Sequence, residues 1–332
     1  MHDTPEKLTR IVAVTGATGF AGGHAVAELL RRGHHVRALV RSPSKARMAV
    51  AVEMVAGDLD NGAALDRLIT GADAVIHLAG AISALKPHDY FRINAHGTVA
   101  VAETAVRAKV ARFVHVSSLS AREPDLSSYG ASKRAGEDVI AKLMTPLNAV
   151  IIRPPAVYGP GDRATLPLMK ALTQAVAVIP GNPMNRFSLI HVSDLARMLA
   201  NAAVNEVGGI NDVSDGTPGG YCWADLLAVA AAERGKPVRP LFLPRAIPFG
   251  VALAAEGLSH LTSKPGMVSR DKVRELYHAD WTASPGAFDL DDAIRFARGF
   301  PETLAWYRAA GWLPRGTRAD RSRAEPREEA GP

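Results

Sequence analysis

The sequence predicts an α/β protein built on a doubly wound parallel sheet, with a smaller lobe following it. Three observations carry this. Over the first 150 residues, short β-branched runs alternate with longer helical patterns, the signature of βαβ units. The runs are nearly continuous in apolar residues, so helices should cover both faces of the sheet. The first run ends in a glycine-rich turn that opens an amphipathic segment.

Six runs are the candidate strands: RIVAVTG (10–16), HVRALV (35–40), VEMVAG (52–57), DAVIHLAG (73–80), ARFVHVSS (111–118) and NAVIIRP (148–154). Helical spacing fills the gaps at about 20–32, 61–70, 89–109 and 128–144. In such a sheet ligands bind beyond the carboxyl ends of the strands, which is where the chemistry is expected. Residues 8–155 therefore read as a nucleotide-binding domain, with later strands returning to it.

From residue 156 to 313 the texture changes to Pro- and Gly-punctuated segments, expected to form mainly a substrate-binding lobe. Within it, 223–235 and 302–313 have helical spacing and end near glycines suited to a C-cap. The segment LFLPRAIPFGVALAA (241–255) gives this lobe an apolar character that suits a hydrophobic alcohol or ketone. Residues 315–332 carry mixed charge and almost no apolar side chains, and are expected to be disordered.

With 47% hydrophobic and 22% charged residues, the chain is neither fibrous nor disordered as a whole. A net charge of +6 raises the question of a nucleic-acid or membrane-surface partner. The basic residues are scattered without an aromatic-interleaved stripe, so a solvated surface and no nucleic-acid partner are expected. Cys222, the sole cysteine, excludes an intramolecular disulfide and a thiolate metal cluster, and no metal site is expected. The start lacks the pattern of a secretory signal, and no apolar run reaches the roughly 18 residues of a membrane span. A cytoplasmic enzyme is the resulting expectation.

The turn TGATGFAG (15–22) places Gly16, Thr18, Gly19, Phe20 and Gly22 between a strand and a helix, with Gly23 following. Gly16 permits the sharp turn, Gly19 lets the backbone approach a ligand, and Gly22 lets the helix pack against the strand. Backbone N–H groups backed by a helix dipole suit a pyrophosphate. A tight turn without a ligand is the plain alternative, since such spacing also occurs by chance. At the end of the second strand an acidic residue would accept from a ribose 2′-hydroxyl, whereas an arginine pairs with a 2′-phosphate. Arg41 stands there, with Arg37, Lys45 and Arg47 nearby and no carboxylate. NADP(H) is favoured on this basis, with NAD(H) as the alternative.

YGASK sets Tyr129 and Lys133 four residues apart, so they share one helix face. A nearby ammonium would lower the phenol towards the range where it exchanges protons, and would also hold ribose hydroxyls. The strand ending at Ser117 and Ser118 is expected to deliver hydroxyls to the same sheet edge.

With TGATGFAG, YGASK and IIRPPAVYGPGD (151–162) in place, the chain resembles the extended short-chain dehydrogenase/reductases, the NAD(P)-dependent epimerase/dehydratase family. The resemblance spans almost all of residues 10–313 and implies a Rossmann-type fold. It implies that Asp58 and Leu59 of the GDL turn flank the adenine, and that Leu78, Ala79 and Gly80 flank the cofactor after the fourth strand. It makes Ser118 the serine that orients the substrate oxygen, with Ser117 as runner-up. It sets Pro155, Ala156 and Val157 against the nicotinamide carboxamide. It also assigns Asn94 a part-structural, part-relay role and makes Arg186 a possible clamp for a diphosphate-bearing substrate, while His191 and Asp194 organise a strand–helix junction. A homodimer through the helices that include 89–109 and 128–144 is the family habit.

Three functions follow as alternatives. The first is an NAD(P)-dependent oxidoreductase acting on an alcohol or ketone, with Tyr129 transferring the proton. The second is a nucleotide-sugar epimerase that oxidises its substrate transiently. Dehydration is disfavoured, because Leu119 and Ser120 rather than a carboxylate follow Ser118. The third is a non-catalytic NADP(H)-binding sensor or assembly factor, against which the joint presence of Ser118, Tyr129 and Lys133 argues.

Overall fold

A computed structural model describes residues 9–262, 269–284, 286, 288 and 290–314. The expected disordered tail at 315–332 and the first eight residues lie outside the described residues. The first half runs β1 (Ile11–Thr15), α1 (Phe20–Arg31), β2 (His35–Val40), β3 (Val52–Ala56), α2 (Gly62–Ile69), β4 (Ala74–His77), α3 (Pro87–Phe91), α4 (Gly97–Arg107), β5 (Arg112–Val116), α5 (Ser128–Lys142), α6 (Met144–Leu147) and β6 (Ala149–Arg153). The second half continues with β7 (Ala156–Tyr158), α7 (Leu166–Leu172), β8 (Val176–Pro180), β9 (Arg186–Phe187), β10 (Leu189–His191), α8 (Val192–Ala202) and β11 (Gly209–Asp212). It ends with β12 (Tyr221–Cys222), α9 (Trp223–Arg234), β13 (Arg239–Leu243), α10 (Ala246–Thr262), α11 (Arg270–Leu276), β14 (Asp280–Trp281) and α12 (Phe296–Ala309).

All six expected strands form, and with β11 they make one parallel seven-stranded sheet in the order β11-β6-β5-β4-β1-β2-β3. The apolar runs are continuous because both faces are buried. On one face Val12, Val14, Ala38 and Val114 pack against Leu29 of α1 and Leu195 and Leu199 of α8. On the other, Ala13, Val75, Phe113 and Ile151 meet Leu65 and Leu68 of α2, Val101 of α4 and Ile140 of α5. Segment 189–212 thus returns from the lobe to complete the sheet through α8 and β11.

The helix expected over 89–109 is interrupted by a π-turn, Arg92–His96, between α3 and α4. There Gly136 of α5 lies so close that a Cβ on it would stand 2.7 Å from the Asn94 carbonyl oxygen. The extra residue of the π-turn carries Asn94 inward, where it is buried.

The lobe has its own core of Tyr158, Met169, Ile179, Trp223, Leu226, Phe300, Leu304 and Tyr307. The helix expected over 223–235 forms and ends on left-handed Gly235, as a C-cap glycine should. α12 begins six residues before the expected Glu302 and carries Pro301 inside it. An interior proline costs ~3 kcal/mol, but it lies beside Phe296 and Phe300, whose complete burial contributes about 1.5–3 kcal/mol each. Among the described residues no helix is long and apolar enough to cross a membrane.

Candidate active site

The carboxyl ends of β1, β4, β5 and β6 converge on the motifs that the sequence singles out. Gly16 has φ +75°, and a Cβ there would meet Ala79 N at 2.6 Å, so the turn after β1 lies directly against the turn after β4. A Cβ on Gly22 would fall 2.1 Å from Gly16 O, which fixes the close approach of α1 to the turn. Gly19, the N-cap of α1, provides no side-chain cap, and the first turn carries no acidic residue. The side chains of Asn61, Ser127 and Ser269 cap α2, α5 and α11; α1 instead presents its first N–H groups beside exposed Thr18 and Gly19. This glycine-lined, dipole-backed cradle fits a dinucleotide pyrophosphate.

Next to the cradle, an open cavity of ≈ 360 Å³ is lined by Ala17, Thr18, Lys45, Arg47, Met48 and neighbouring α1 residues. Arg41 is exposed just after β2 and does not line this cavity. Arg37 is turned elsewhere: it donates to Glu53 at 3.1 Å and to the Thr70 carbonyl at 2.7 Å. Asp58 is exposed after β3 and accepts from Asp60 N, while Leu59 packs over Gly97, where a Cβ would meet its side chain at 2.6 Å.

A buried polar chain stitches these turns together. Thr15 Oγ1 lies 2.7 Å from His77 Nδ1 and takes the Ala79 N–H at 3.2 Å. His77 Nε2 lies 3.0 Å from Thr98 Oγ1, which reaches the Asn94 carbonyl at 2.8 Å. Burial, with help from Lys133, pushes His77 down to about 3, and His115, stacked on it, falls well below its ordinary value for the same reason. The Asn94 amide accepts from Ala81 N at 2.7 Å and donates to Ala81 O at 3.0 Å and Ser132 Oγ at 2.9 Å. It therefore ties the β4 turn, the π-turn and α5 together, which is the structural half of its expected role.

At the other end of the sheet edge, Tyr129 and Lys133 lie on α5 as expected. Ser118 stands near enough to the Tyr129 phenol to influence it, whereas Ser117 is buried and its hydroxyl has no protein partner. Burial pushes the phenol up to about 12, with Ser118 opposing the rise and Glu275 and Tyr90 adding to it. Lys133 is brought down to about 8 by burial, with Glu137 opposing. Its ammonium donates to the Val116 carbonyl at 2.7 Å. Lys133 is not among the groups that move the phenol, so the expected lowering by its ammonium is not seen in this arrangement.

Gly130 explains the position of this helix: a Cβ would stand 2.6 Å from Ser120 O, so α5 presses against the loop after β5. Other residues near the tyrosine carry no motif. Ser127 Oγ accepts from Gly130 N and donates to Glu275 at 2.6 Å, while Ser128 N and Oγ donate to Asp271 at 2.9 and 3.0 Å. Tyr90 sets its ring 6.2 Å from that of Tyr129, edge to face. Arg153, at the end of β6, holds Glu137 through two charge-assisted hydrogen bonds.

Past β6, Leu119 N donates to Pro154 O, so Pro155, Ala156 and Val157 follow at the same edge, with Ala156 exposed. Arg186 lies elsewhere. Its guanidinium donates to Gly219 O at 2.8 Å and Gly220 O at 3.2 Å, joining β9 to the turn before β12. His191 caps α8, and Asp194 accepts from Ile294 N and pairs with Arg197, so both organise the strand–helix junction.

Residues 12–213 match the NAD dependent epimerase/dehydratase family. The chain belongs to that family. It is 42% identical, over 92% of its length and 96% of the relative's, to a ceramide reductase of Caulobacter vibrioides. It is 30% identical, over 62% of its length and 68% of the relative's, to a 4-hydroxy-2-methyl-3-oxo-4-farnesyl-3,4-dihydroquinoline-1-oxide ketoreductase of Stigmatella aurantiaca. The fold matches a UDP-glucose 4-epimerase of Thermus thermophilus solved with NAD, with TM-score 0.66 at 21% identity over 90% of this chain and 99% of that one. The protein is an oxidoreductase of this NAD-dependent epimerase/dehydratase family.

Proposed function

We propose that this family member is an NADPH-dependent reductase of a lipid ketone, the substrate being of the ceramide class. The observation that carries the reading is the placement of Tyr129 beside Ser118 and one helical turn from Lys133, at the carboxyl edge of the sheet. A phenol held at about 12 is protonated throughout the neutral range. It is therefore set to give a proton to a ketone oxygen, which Ser118 can orient with its own hydroxyl. The dinucleotide, when bound, supplies the hydride. Gly16, Thr18, Gly19, Phe20 and Gly22 hold its pyrophosphate, Asp58 and Leu59 flank its adenine, and Leu78, Ala79, Gly80, Pro155, Ala156 and Val157 line the nicotinamide side. Lys133 would turn from Val116 O to the ribose.

The cation-lined cavity beside Thr18 supports a 2′-phosphate. Lys45 and Arg47 line it directly, with no carboxylate among the lining residues. The lipid substrate is supported by the relative named as a ceramide reductase and by Arg186, whose engagement with Gly219 and Gly220 disfavours its use as a diphosphate clamp.

The test is Tyr129→Phe with NADPH and a keto form of a ceramide. Turnover is expected to fall about 10²–10⁴-fold while NADPH binding is kept; equal turnover by both proteins would remove Tyr129 from the chemistry. Cofactor that stays bound and oxidised through many turnovers would point to epimerisation. Binding of NADPH without turnover of any carbonyl would point to a sensor or assembly factor.

A further inference from the structure

The apolar segment 241–255 leaves much of its surface uncovered. Of its large side chains, Leu241 is 51% exposed, Ile247 52%, Val251 57% and Leu253 55%. On α10, Ile247, Gly250, Val251 and Ala254 recur at the spacing of one helix face and are all exposed, whereas Pro248 and Ala252 of the opposite side are buried. Residues 246–255 contain no charged side chain, so this face has no polar cover of its own. The ribbon leading into the helix extends the surface: Val176 and Val178 of β8 point outward, and Val178 lies directly across from Leu241 of β13.

Residues 234–255 carry Arg234, Lys236, Arg239 and Arg245 and no carboxylate. Arg239 and Arg245 are exposed at the two ends of the β13 approach to α10. An exposed apolar face of this extent does not suit a freely solvated surface.

We propose that α10 and the β8–β13 ribbon form a docking surface for an anionic lipid bilayer. The apolar face enters the headgroup boundary, and Arg239 and Arg245 bind anionic headgroups. One side of α10 is packed on the lobe, so the helix lies on the membrane and does not span it. Given the lipid-ketone reading above, on which this part rests, docking lets the lobe take substrate from the bilayer without its passing through water. A second copy of the chain is the competing occupant, and the familiar dimer helices of the family, α4 and α5, are different ones.

The test is flotation of the intact protein with phosphatidylglycerol-containing vesicles and with pure phosphatidylcholine vesicles, without substrate. The wild type is expected to float with the anionic vesicles and to be released by salt. Ile247→Gln/Val251→Gln and Arg239→Glu/Arg245→Glu should each lower binding at least about tenfold. Both should keep wild-type NADPH affinity, thermal midpoint and turnover of a water-soluble short-chain keto-amide, while turnover of vesicle-embedded substrate falls with binding. Wild type that stays unbound, or variants that float equally, would overturn the proposal. So would a wild-type dimer in sedimentation that either variant converts to monomer, since the face would then belong to a second copy. Flotation is read without turnover, so inactivity on every ketone would count against the reductase reading alone.

Discussion

The two ends of the sheet edge are built from different materials. Around the glycine turn, Gly16, Gly19 and Gly22 let main chain meet main chain, and every constraining contact lies within the first eighty residues. Around Tyr129, side chains do the holding, and two of them, Asp271 and Glu275, come from α11, more than 140 residues further along the chain. Cofactor affinity should therefore be sensitive to the volume of single residues near the turn and insensitive to the lobe, while proton transfer should feel both halves.

Gly22→Val offers the harshest test. Its side chain would occupy the position 2.1 Å from Gly16 O, so a loss of about 3–5 kcal/mol of stability and of measurable NADPH binding is expected. Thermal unfolding and fluorescence titration check it, and retained affinity would mean that the turn is not the pyrophosphate site. Next comes the tyrosine end. Asp271→Asn combined with Glu275→Gln weakens charge-assisted caps at about 1.5–3 kcal/mol each at most. It should lower kcat roughly tenfold by loosening α5 while leaving the Kd for NADPH unchanged. A matched fall in NADPH affinity would erase the distinction between the two ends.

Acid stability sharpens the comparison further. His77 and His115 have values depressed from 6.5 by burial, so the unfolded chain takes up protons that the folded one refuses. The contribution of His77 is complete above about pH 6.5 and is lost as pH falls towards 3, with a slope of about 1.4 kcal/mol per unit, and that of His115 is likewise lost on acidification. His77→Gln should flatten the fall of Tm between pH 6.5 and 4; an unchanged slope would assign the acid sensitivity elsewhere. Smallest is the effect of Lys45→Glu with Arg47→Glu, expected to lower the NADPH-to-NADH affinity ratio about tenfold by removing the cations that line the cavity beside Thr18. A constant ratio would transfer the preference to Arg41, which Arg41→Asp then tests.

The strands and the glycine and Tyr–Lys motifs were legible because each is a local pattern: an apolar run, a glycine spacing, one helical turn. What escaped was decided over long distances. Tyr90 and Glu275 meet Tyr129 only after the sheet and lobe assemble, and neither carries a spacing that announces it. Arg37 and Arg186 read as cations for a ligand, yet tertiary carbonyls and Glu53 take up their donors. The π-turn at Arg92–His96 escaped because one inserted residue barely disturbs apolar periodicity. The run 241–255 showed its hydrophobicity but not its direction, since only packing decides whether an apolar residue faces a core or the outside.

The buried chain through His77 also has a sense of direction. Its first group, the Ala79 N–H, can only donate, and its last, the Asn94 carbonyl, can only accept. Every hydrogen between them is therefore assigned. Thr98 gives its proton to Asn94, His77 donates through Nε2, and Thr15 donates to the bare Nδ1. The imidazole is locked as one tautomer and conducts no proton, because a second N–H would face the Thr15 hydroxyl donor head-on. What runs beneath the turn after β4 is a one-way row of dipoles, a rigid latch across β1, β4 and α4.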